Sequence, residues 1–165
     1  MQNNQKGFTL IELLIVIAII AILGAVVFVA LDPLTRFQDT RDARRWSDAT
    51  ALLNAIKVDQ VDNGGAYLSA IASTTAAQVY MIGTATSGCN AQDTYCDVNV
   101  TDGTSCIDLT GLFTEGYIGS IPISPNGSGT WTSAITGYTL TRAATGILTI
   151  RACESENSSE ISISR

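Results

Sequence analysis

The hydrophobic and polar positions divide the chain into three parts: an apolar run, a segment with helical periodicity, and a series of short alternating stretches. The apolar run covers residues 8–31, where Thr9 and Glu12 are the polar side chains. A helix of this length spans roughly 36 Å, which is enough to cross a hydrocarbon core of about 30 Å. A cleaved secretory signal is a poorer interpretation, because its apolar part covers only about 7–15 residues. The run therefore predicts a membrane-length helix.

The segment that follows has the pattern of an amphipathic helix. Apolar residues recur at spacings of three and four, at Trp46, Ala49, Leu53 and Ile56. We expect this stripe to face a sheet. Charges of alternating sign surround it, at Asp39, Arg41, Asp42, Arg44, Arg45 and Asp48. Such a pattern is typical of a solvated face, with pairing between neighbouring chains as the alternative.

Glycine and proline predict where the helical segment ends and where it is weakened. Gly64 and Gly65 should terminate it at its C-terminal cap. One long bent helix then runs from Phe8 to about Val61. Pro33 lacks a backbone donor and clashes with the preceding turn, so a kink or local unwinding is expected in the turn before it. The alternative is that Pro33 marks only the exit from the bilayer.

Beyond the helix the elements become short and weakly patterned. Residues 64–110 are rich in Ala, Ser, Thr and Gly and predict mainly a surface loop. We predict a strand at 79–83, a turn or short helix at 108–114, a hairpin of strands at 136–142 and 146–152, and a last strand at 160–165. The fold class is therefore α+β, with a long bent N-terminal helix packed on a small C-terminal antiparallel sheet of three or four strands.

Composition and charge narrow the chemistry. The 165 residues include 9 basic and 15 acidic side chains, a net charge of −6, and no histidine. An acidic surface does not attract nucleic-acid phosphates, so no nucleic-acid partner is expected. Without histidine, the usual member of Ser/His/Asp and Cys/His catalytic sets and of most zinc sites is missing. We therefore expect a protein that is not an enzyme and that uses no metal or other cofactor.

Four cysteines lie beyond the apolar run, at Cys89, Cys96, Cys106 and Cys153. None of them forms a C-x-x-C pair, and an even count in an exported domain indicates two disulfides, for which three connectivities are possible. We favour Cys89 with Cys96, which closes a short polar loop, and Cys106 with Cys153, which ties the middle of the domain to a late strand. Four free thiols in a reducing compartment are the alternative.

The start of the apolar run carries a specific motif, KGFTLIEL at residues 6–13. It resembles the processing site of type IV pilins and of the pseudopilins of type II secretion. The resemblance implies that a prepilin peptidase cuts between Gly7 and Phe8, that Phe8 becomes N-methylated, and that Glu12 takes the place of the family's assembly glutamate. It is close from Lys6 to about Ala25 and holds only in outline for the rest of the chain.

The physics of a carboxylate near lipid agrees with that role for Glu12. Such a charge persists where a partner compensates it. Cleavage before Phe8 creates an α-amine, which Glu12 of a neighbouring subunit can meet when the helices stack with an axial offset. The pair would then set the register of the helices more than it adds net stability. The alternative is that Glu12 only reaches towards the lipid headgroups.

The resemblance implies a structural subunit that is held in the bacterial inner membrane as a precursor. Pilus assembly machinery then polymerises it with identical subunits into an extracellular pilus filament, a kind of fibre associated with adhesion and motility. The implied organisation is a leader at 1–7, a transmembrane and filament-core helix at 8–33, an amphipathic helix at 34–63 and a globular head at 64–165. In pilins a glycine and a proline bracket a part of the helix that loosens in the filament, and Gly24 and Pro33 stand somewhat later here.

A major type IV pilin is favoured over a pseudopilin or minor pilin of a secretion or DNA-uptake system. The head resembles the C-terminal part of major pseudopilins only loosely, with Ser124 and Asn126 where an acid and an aromatic residue are more typical. No acidic cluster follows that would bind calcium, so we do not expect a calcium site. A monomeric membrane-anchored binding protein is the alternative from another class.

Overall fold

A computed structural model describes residues 7–165. Lys6, which opens the processing motif, and the residues before it lie outside the described part. The chain divides into two compact units, Met1–Phe37 and Gln38–Arg165. From here on, the head means the whole second unit, Gln38–Arg165, and not only the range 64–165 that the resemblance implies.

The N-terminal unit contains helix α1, Leu10–Leu31, whose 22 residues carry no proline and are nearly all apolar. At 1.5 Å per residue it is about 33 Å long. The helix ends at Asp32, whose φ of 37° lies in the left-handed region. Pro33 is the first residue of the next helix. A backbone N–H at this position has no intrahelical acceptor, so proline costs the helix no hydrogen bond there. The interruption therefore falls in the turn where it was predicted.

Helix α2, Pro33–Asp62, supplies the head with its main buried helical face. Ala49, Leu53 and Ile56 of the predicted stripe are buried, which confirms that part of the pattern. Trp46 is 40% exposed, so the stripe does not begin there. The helix ends as predicted, with Gly64 and Gly65 at positive φ; the Gly65 N–H donates to the Gln60 carbonyl at 2.7 Å.

Two of the charged residues on α2 contradict the prediction of a solvated face. Arg45 and Asp42 are buried. Arg45 stands four residues before Ala49, so it lies on the same helical stripe as the apolar residues. Burial is possible because other parts of the head supply its hydrogen-bond partners, which helical periodicity cannot reveal.

The sheet has five strands in the order β2-β1-β3-β4-β5. Their bounds are β1 Val79–Ile82, β2 Asp102–Ile107, β3 Tyr138–Arg142, β4 Leu148–Ala152 and β5 Ser162–Ser164. Short helices α3 Ser69–Ala72 and α4 Thr110–Thr114 and a 3₁₀ turn at Asp93–Tyr95 lie between them. The α+β class, the first strand, the β3–β4 hairpin and the last strand are confirmed.

One pair of strands departs from the predicted antiparallel sheet. Strand β2 lies parallel to β1, so the sheet is mixed and has five strands rather than three or four. Its sequence DGTSCI is largely polar, and most of its residues are partly or fully exposed at the edge of the sheet. A half-exposed polar edge strand has no clear alternation, which is why the pattern missed it.

The core of the head lies between α2 and the central strands. Strand β4 alternates between buried and partly exposed residues, with Leu148, Ile150 and Ala152 inward. A second, smaller cluster consists of Met81, Cys89, Val100, Trp131 and Cys153. This cluster surrounds the disulfides and covers the face of the sheet away from the main core cluster.

Two disulfides are present, but the favoured pairing was wrong. Cys89 is bonded to Cys106, and Cys96 to Cys153, with Cα atoms 5.4 and 4.0 Å apart. The loop after β1 runs back along β2, where the Cys89 N–H donates to the Gly103 carbonyl at 3.3 Å. This contact, made possible by the parallel β1–β2 pair, brings Cys89 to Cys106.

Candidate processing and assembly site

The predicted scissile bond lies just outside the first helix. Gly7 and Phe8 belong to no helix or strand, and Phe8 is 91% exposed. No atom lies within 4 Å of the position that a Cβ on Gly7 would take. The Gly7–Phe8 peptide therefore has open space around it among the described residues, as a peptidase substrate requires.

Glu12 and Thr9 form a reciprocal cap at the start of α1. The Glu12 N–H donates to Thr9 Oγ1 at 3.3 Å, while the Thr9 N–H and Oγ1 both donate to Glu12 Oε2 at 2.8 Å. This is a capping box, in which two unsatisfied donors at a helix start are bonded by side chains. Both residues are exposed.

The capping role of Thr9 was not predicted, although the sequence contains its signal. Thr9 and Glu12 stand in the T-x-x-E spacing that marks a helix start when an apolar run follows. The cap explains why a carboxylate can stay at this position before any partner arrives. It accepts hydrogen bonds locally and faces the positive end of the helix dipole.

The remainder of α1 presents apolar side chains in every direction. Among the residues that the structure describes, one helical stretch, Leu10–Asp62, which is interrupted at Asp32, contains a window long and apolar enough to cross a membrane. None of that window is buried inside the chain. Gly24 lies in this helix, and no atom lies within 4 Å of its hypothetical Cβ. A helix that is apolar all round needs lipid or other helices around it.

The predicted site residues therefore fall into separate groups. Gly7, Phe8 and Glu12 lie within about one turn of the start of α1, whereas Pro33 begins α2. The four cysteines belong to the head. The structure thus places the residues of the motif at the start of α1 and the disulfides in the head.

The head also has an open polar groove of about 520 Å³. Its lining includes Arg41, Tyr95, Asp97, Ser155 and Glu156. Arg41 Nε donates to Glu156 Oε1 at 2.7 Å, and Ser155 Oγ donates to Asp97 Oδ2 at 2.6 Å. Burial, together with nearby carboxylates, raises the pKa of Asp97 despite the bond from Ser155. The charged lining is thus largely engaged within the chain.

Comparison with known families agrees with the geometry of the first helix. Residues 2–28 match the model of the prokaryotic N-terminal methylation motif, and the head lies outside that match. No curated protein and no solved structure gives a significant match to the chain. The motif implies processing by prepilin peptidase and entry into pilus-like assembly machinery, and the apolar helix fits a membrane-anchored precursor. The chain therefore carries, at residues 2–28, the class III leader found in type IV pilins and pseudopilins.

Proposed function

We propose that this protein is the structural subunit of a type IV pilus-like filament. It is cut between Gly7 and Phe8, N-methylated at Phe8 and polymerised through α1. The observation that carries the proposal is the combination of the methylation motif with a 22-residue helix that buries none of its own residues. Such a surface is covered by lipid in the precursor and by the same helix of other subunits in the filament.

The cap at Glu12 supplies the switch between these two states. Before processing, Glu12 accepts hydrogen bonds from Thr9 of its own chain. Cleavage frees a cationic α-amine on Phe8, and a bond between two charged groups is stronger than one to a neutral amide. The amine of a neighbouring subunit can therefore displace the local bond, and it does so only at one axial stagger of the helices.

The outward face of α2 offers a second surface for packing between subunits. Its exposed residues at three- and four-residue spacing are uncharged and mostly small: Ala43, Ser47, Ala51, Asn54, Val58 and Val61. Small side chains allow another helix to approach closely. This supports a filament, since a solitary anchored domain has no need for an uncharged stripe over five turns.

Intact mass spectrometry tests the processing step. We expect the mature chain to lack residues 1–7 and to carry one additional methyl group on Phe8, as found in material sheared from cells. A chain that keeps its leader in assembled fibres contradicts the proposal. Gly7→Ala is the matched variant, because it adds a Cβ where space is open and is expected to slow cleavage without disturbing α1 or the head.

Three substitutions separate register-setting by Glu12 from simple capping. Glu12→Gln keeps a hydrogen-bonding group but loses the charge, and we expect it to abolish or strongly reduce filaments. Thr9→Ala removes the local cap but leaves the carboxylate, so filaments should persist. Glu12→Ala should insert in the membrane and fold its head normally. If Glu12→Gln assembles like the unmodified chain, the charge pair does not set the register.

The same processing would serve a pseudopilin, a minor pilin or a monomeric anchored protein, so abundance in the fibre decides among them. Electron microscopy with quantitative mass spectrometry of purified filaments should find this chain as the main component. Trace amounts would indicate a minor pilin, and filaments that form only on overproduction would indicate a pseudopilin. A processed chain that never leaves the membrane would indicate the anchored binding protein.

A further inference from the structure

Arg45 is a fully buried cation that donates four hydrogen bonds and lies close to a fifth oxygen atom. Nε donates to Ser124 Oγ at 3.2 Å. Nη1 donates to Asp42 Oδ1 at 2.7 Å and to Glu156 Oε1 at 2.8 Å. Nη2 donates to the Pro125 carbonyl at 3.0 Å and lies 3.5 Å from Glu154 Oε2. We call these five oxygen-bearing residues the Arg45 cage.

Two carboxylates of the cage also accept hydrogen bonds from the backbone N–H groups of two loops. Asp42 Oδ2 accepts the N–H groups of Glu156, Asn157 and Ser158 at 3.1, 2.9 and 3.1 Å. The Glu154 carboxylate accepts the N–H groups of Ser128 and Gly129 and the Trp131 indole N–H. The guanidinium and the loop amides therefore share the same carboxylates, so the loops at 124–131 and 154–158 are joined to α2 through one buried cation.

The cage surrounds Arg45 with oxygen atoms, and among the described residues no acidic cluster is placed to hold a metal ion. The cage combines three carboxylates, one backbone carbonyl and one hydroxyl, all of them oxygen donors. Three carboxylates this close together repel each other unless a cation lies between them. Arg41, which is partly exposed, bonds to Glu156 from the edge of the cage. Arg45 supplies the buried cation with a planar fork of donors, which a point charge such as lysine cannot reproduce. The charge of these carboxylates is thus balanced by a side chain of the protein itself.

We propose that Arg45 is a built-in cation that closes the two loops of the head onto α2 and makes the folded head independent of divalent metal ions. The proposal concerns the head alone and does not rest on filament assembly. It assigns Arg45 a positioning role, because the guanidinium holds the carboxylates that in turn hold the loop amides. An ordinary buried ion pair would also stabilise the head, but that stabilisation would not depend on both the shape and the charge of the cation.

The test uses the full chain in detergent micelles, with thermal unfolding followed by tryptophan fluorescence. Arg45→Ala should lower the melting temperature by about 10 °C or more, since it leaves buried carboxylates without a partner. Arg44→Ala is the matched control, because the adjacent Arg44 side chain is 65% exposed and only meets Asp48 at 3.7 Å. Its melting temperature should change by less than about 2 °C.

Chemical rescue distinguishes a cation site from a merely structural residue. Methylguanidinium at low millimolar concentration should raise the melting temperature of Arg45→Ala by several degrees and leave Arg44→Ala unchanged. Ethylammonium, which has the charge without the fork, should do much less. In hydrogen exchange, the Glu156, Asn157 and Ser158 amides should lose protection in Arg45→Ala and regain it with methylguanidinium. Equal effects of the two cations, or none, would overturn the proposal.

Two further measurements remain decisive even where Arg45→Ala does not fold. Calcium and a chelator should leave the melting temperature of the unmodified chain within about 1 °C, and a shift of several degrees with calcium overturns metal independence. Arg45→Lys keeps the charge but offers three donors, so its melting temperature should lie well below that of the unmodified chain. A lysine variant that melts like the unmodified chain would show that the fork is not needed.

Discussion

Glu12 and Arg45 are both charges in apolar helical settings, yet the two regions satisfy them in opposite ways. Glu12 is exposed, and within residues 7–165 its carboxylate bonds only to Thr9, three residues away. Arg45 is buried and bonds to Ser124, Pro125 and Glu156, 79 to 111 residues away. In the function proposed above, the first charge meets a partner outside the chain, whereas the second completes a structure inside it. A charge on an apolar helix therefore signals assembly or internal closure according to where its partners come from.

The largest effect is expected from removing disulfides, which should lower the stability of the head and leave the disulfide-free α1 unchanged. Replacing Cys96 and Cys153 with serine opens a link across 57 residues, and replacing Cys89 and Cys106 opens one across 17. Loss of loop-closure entropy predicts about 4 and about 3 kcal/mol lower stability of the head, respectively. Denaturant unfolding of the full chain in micelles measures both, while the helical signal of α1 should persist.

Peptide mapping without reduction checks the connectivity on which this order depends. The unmodified chain should yield a Cys89–Cys106 peptide pair and a Cys96–Cys153 pair. Cys89 joined to Cys96 would restore the pairing favoured from the sequence, and each double replacement would then break both disulfides, so the two effects would be similar.

Acid should weaken the head while sparing α1. Burial opposes ionisation of Asp42, but the amides of Asn157, Ser158 and Glu156 and the bond from Arg45 outweigh it and lower its pKa. The bond from Arg41 is the main cause of the lowered pKa of Glu156. Carboxyls with lower pKa values in the folded state stabilise it above their unfolded pKa, and this is lost as pH falls through the folded value. The melting temperature of the head should therefore decrease when the pH is lowered below about 4.

Asp42→Asn and Asp97→Asn form a matched pair for this acid response. Asp42→Asn should lower stability at pH 7 and flatten the loss in acid, because it removes a carboxylate that the fold prefers ionised. Asp97→Asn should maintain or raise stability at pH 7, since the pKa of Asp97 is raised and its ionised form is disfavoured in the fold. The same sign for both variants at pH 7 would contradict the assignment.

A smaller effect is expected at the bond between β3 and α2. The Tyr138 hydroxyl donates to Asp48 Oδ2 at 2.8 Å, and burial together with this bond raises the pKa of Tyr138. Tyr138→Phe should cost about 1.5–3 kcal/mol, the range for a hydrogen bond to a charged group. Urea unfolding of the head measures it. Thr139→Ser, on the same strand, is a control for packing that leaves this bond in place.

The smallest effect should come from the cap of α1. Thr9→Ala removes the side-chain acceptor of the Glu12 N–H, at a cost of about 1 kcal/mol to the helix start. Hydrogen exchange of the first turn in micelles should quicken by about fivefold, with no change in the head. A faster exchange in the head as well would mean that the cap matters beyond the first helix.

Much of the fold could be predicted from short-range pattern. The apolar run, the glycine stop at Gly64 and Gly65 and the hairpin across Gly146 each depend on residues a few positions apart. Strand β2 escaped because its polar residues lie half-exposed at a sheet edge and pair with a strand about 20 residues earlier. In the candidate site, the motif at residues 6–13 could be identified from the sequence. The role of Thr9 could have been predicted too, because the sequence also contains the spacing of a helix cap.

The sequence by itself determined the membrane-length helix, its processing motif and the alternating strands, because periodicity and motif chemistry act between near neighbours. Only the tertiary structure decided that β2 lies parallel to β1, that Cys89 meets Cys106, and that Arg45 is buried. Those outcomes depend on groups up to 111 residues apart along the chain, whose meeting is set by packing of the whole head. Charges of alternating sign along a helix give the same sequence pattern whether their partners are water molecules or distant carboxylates.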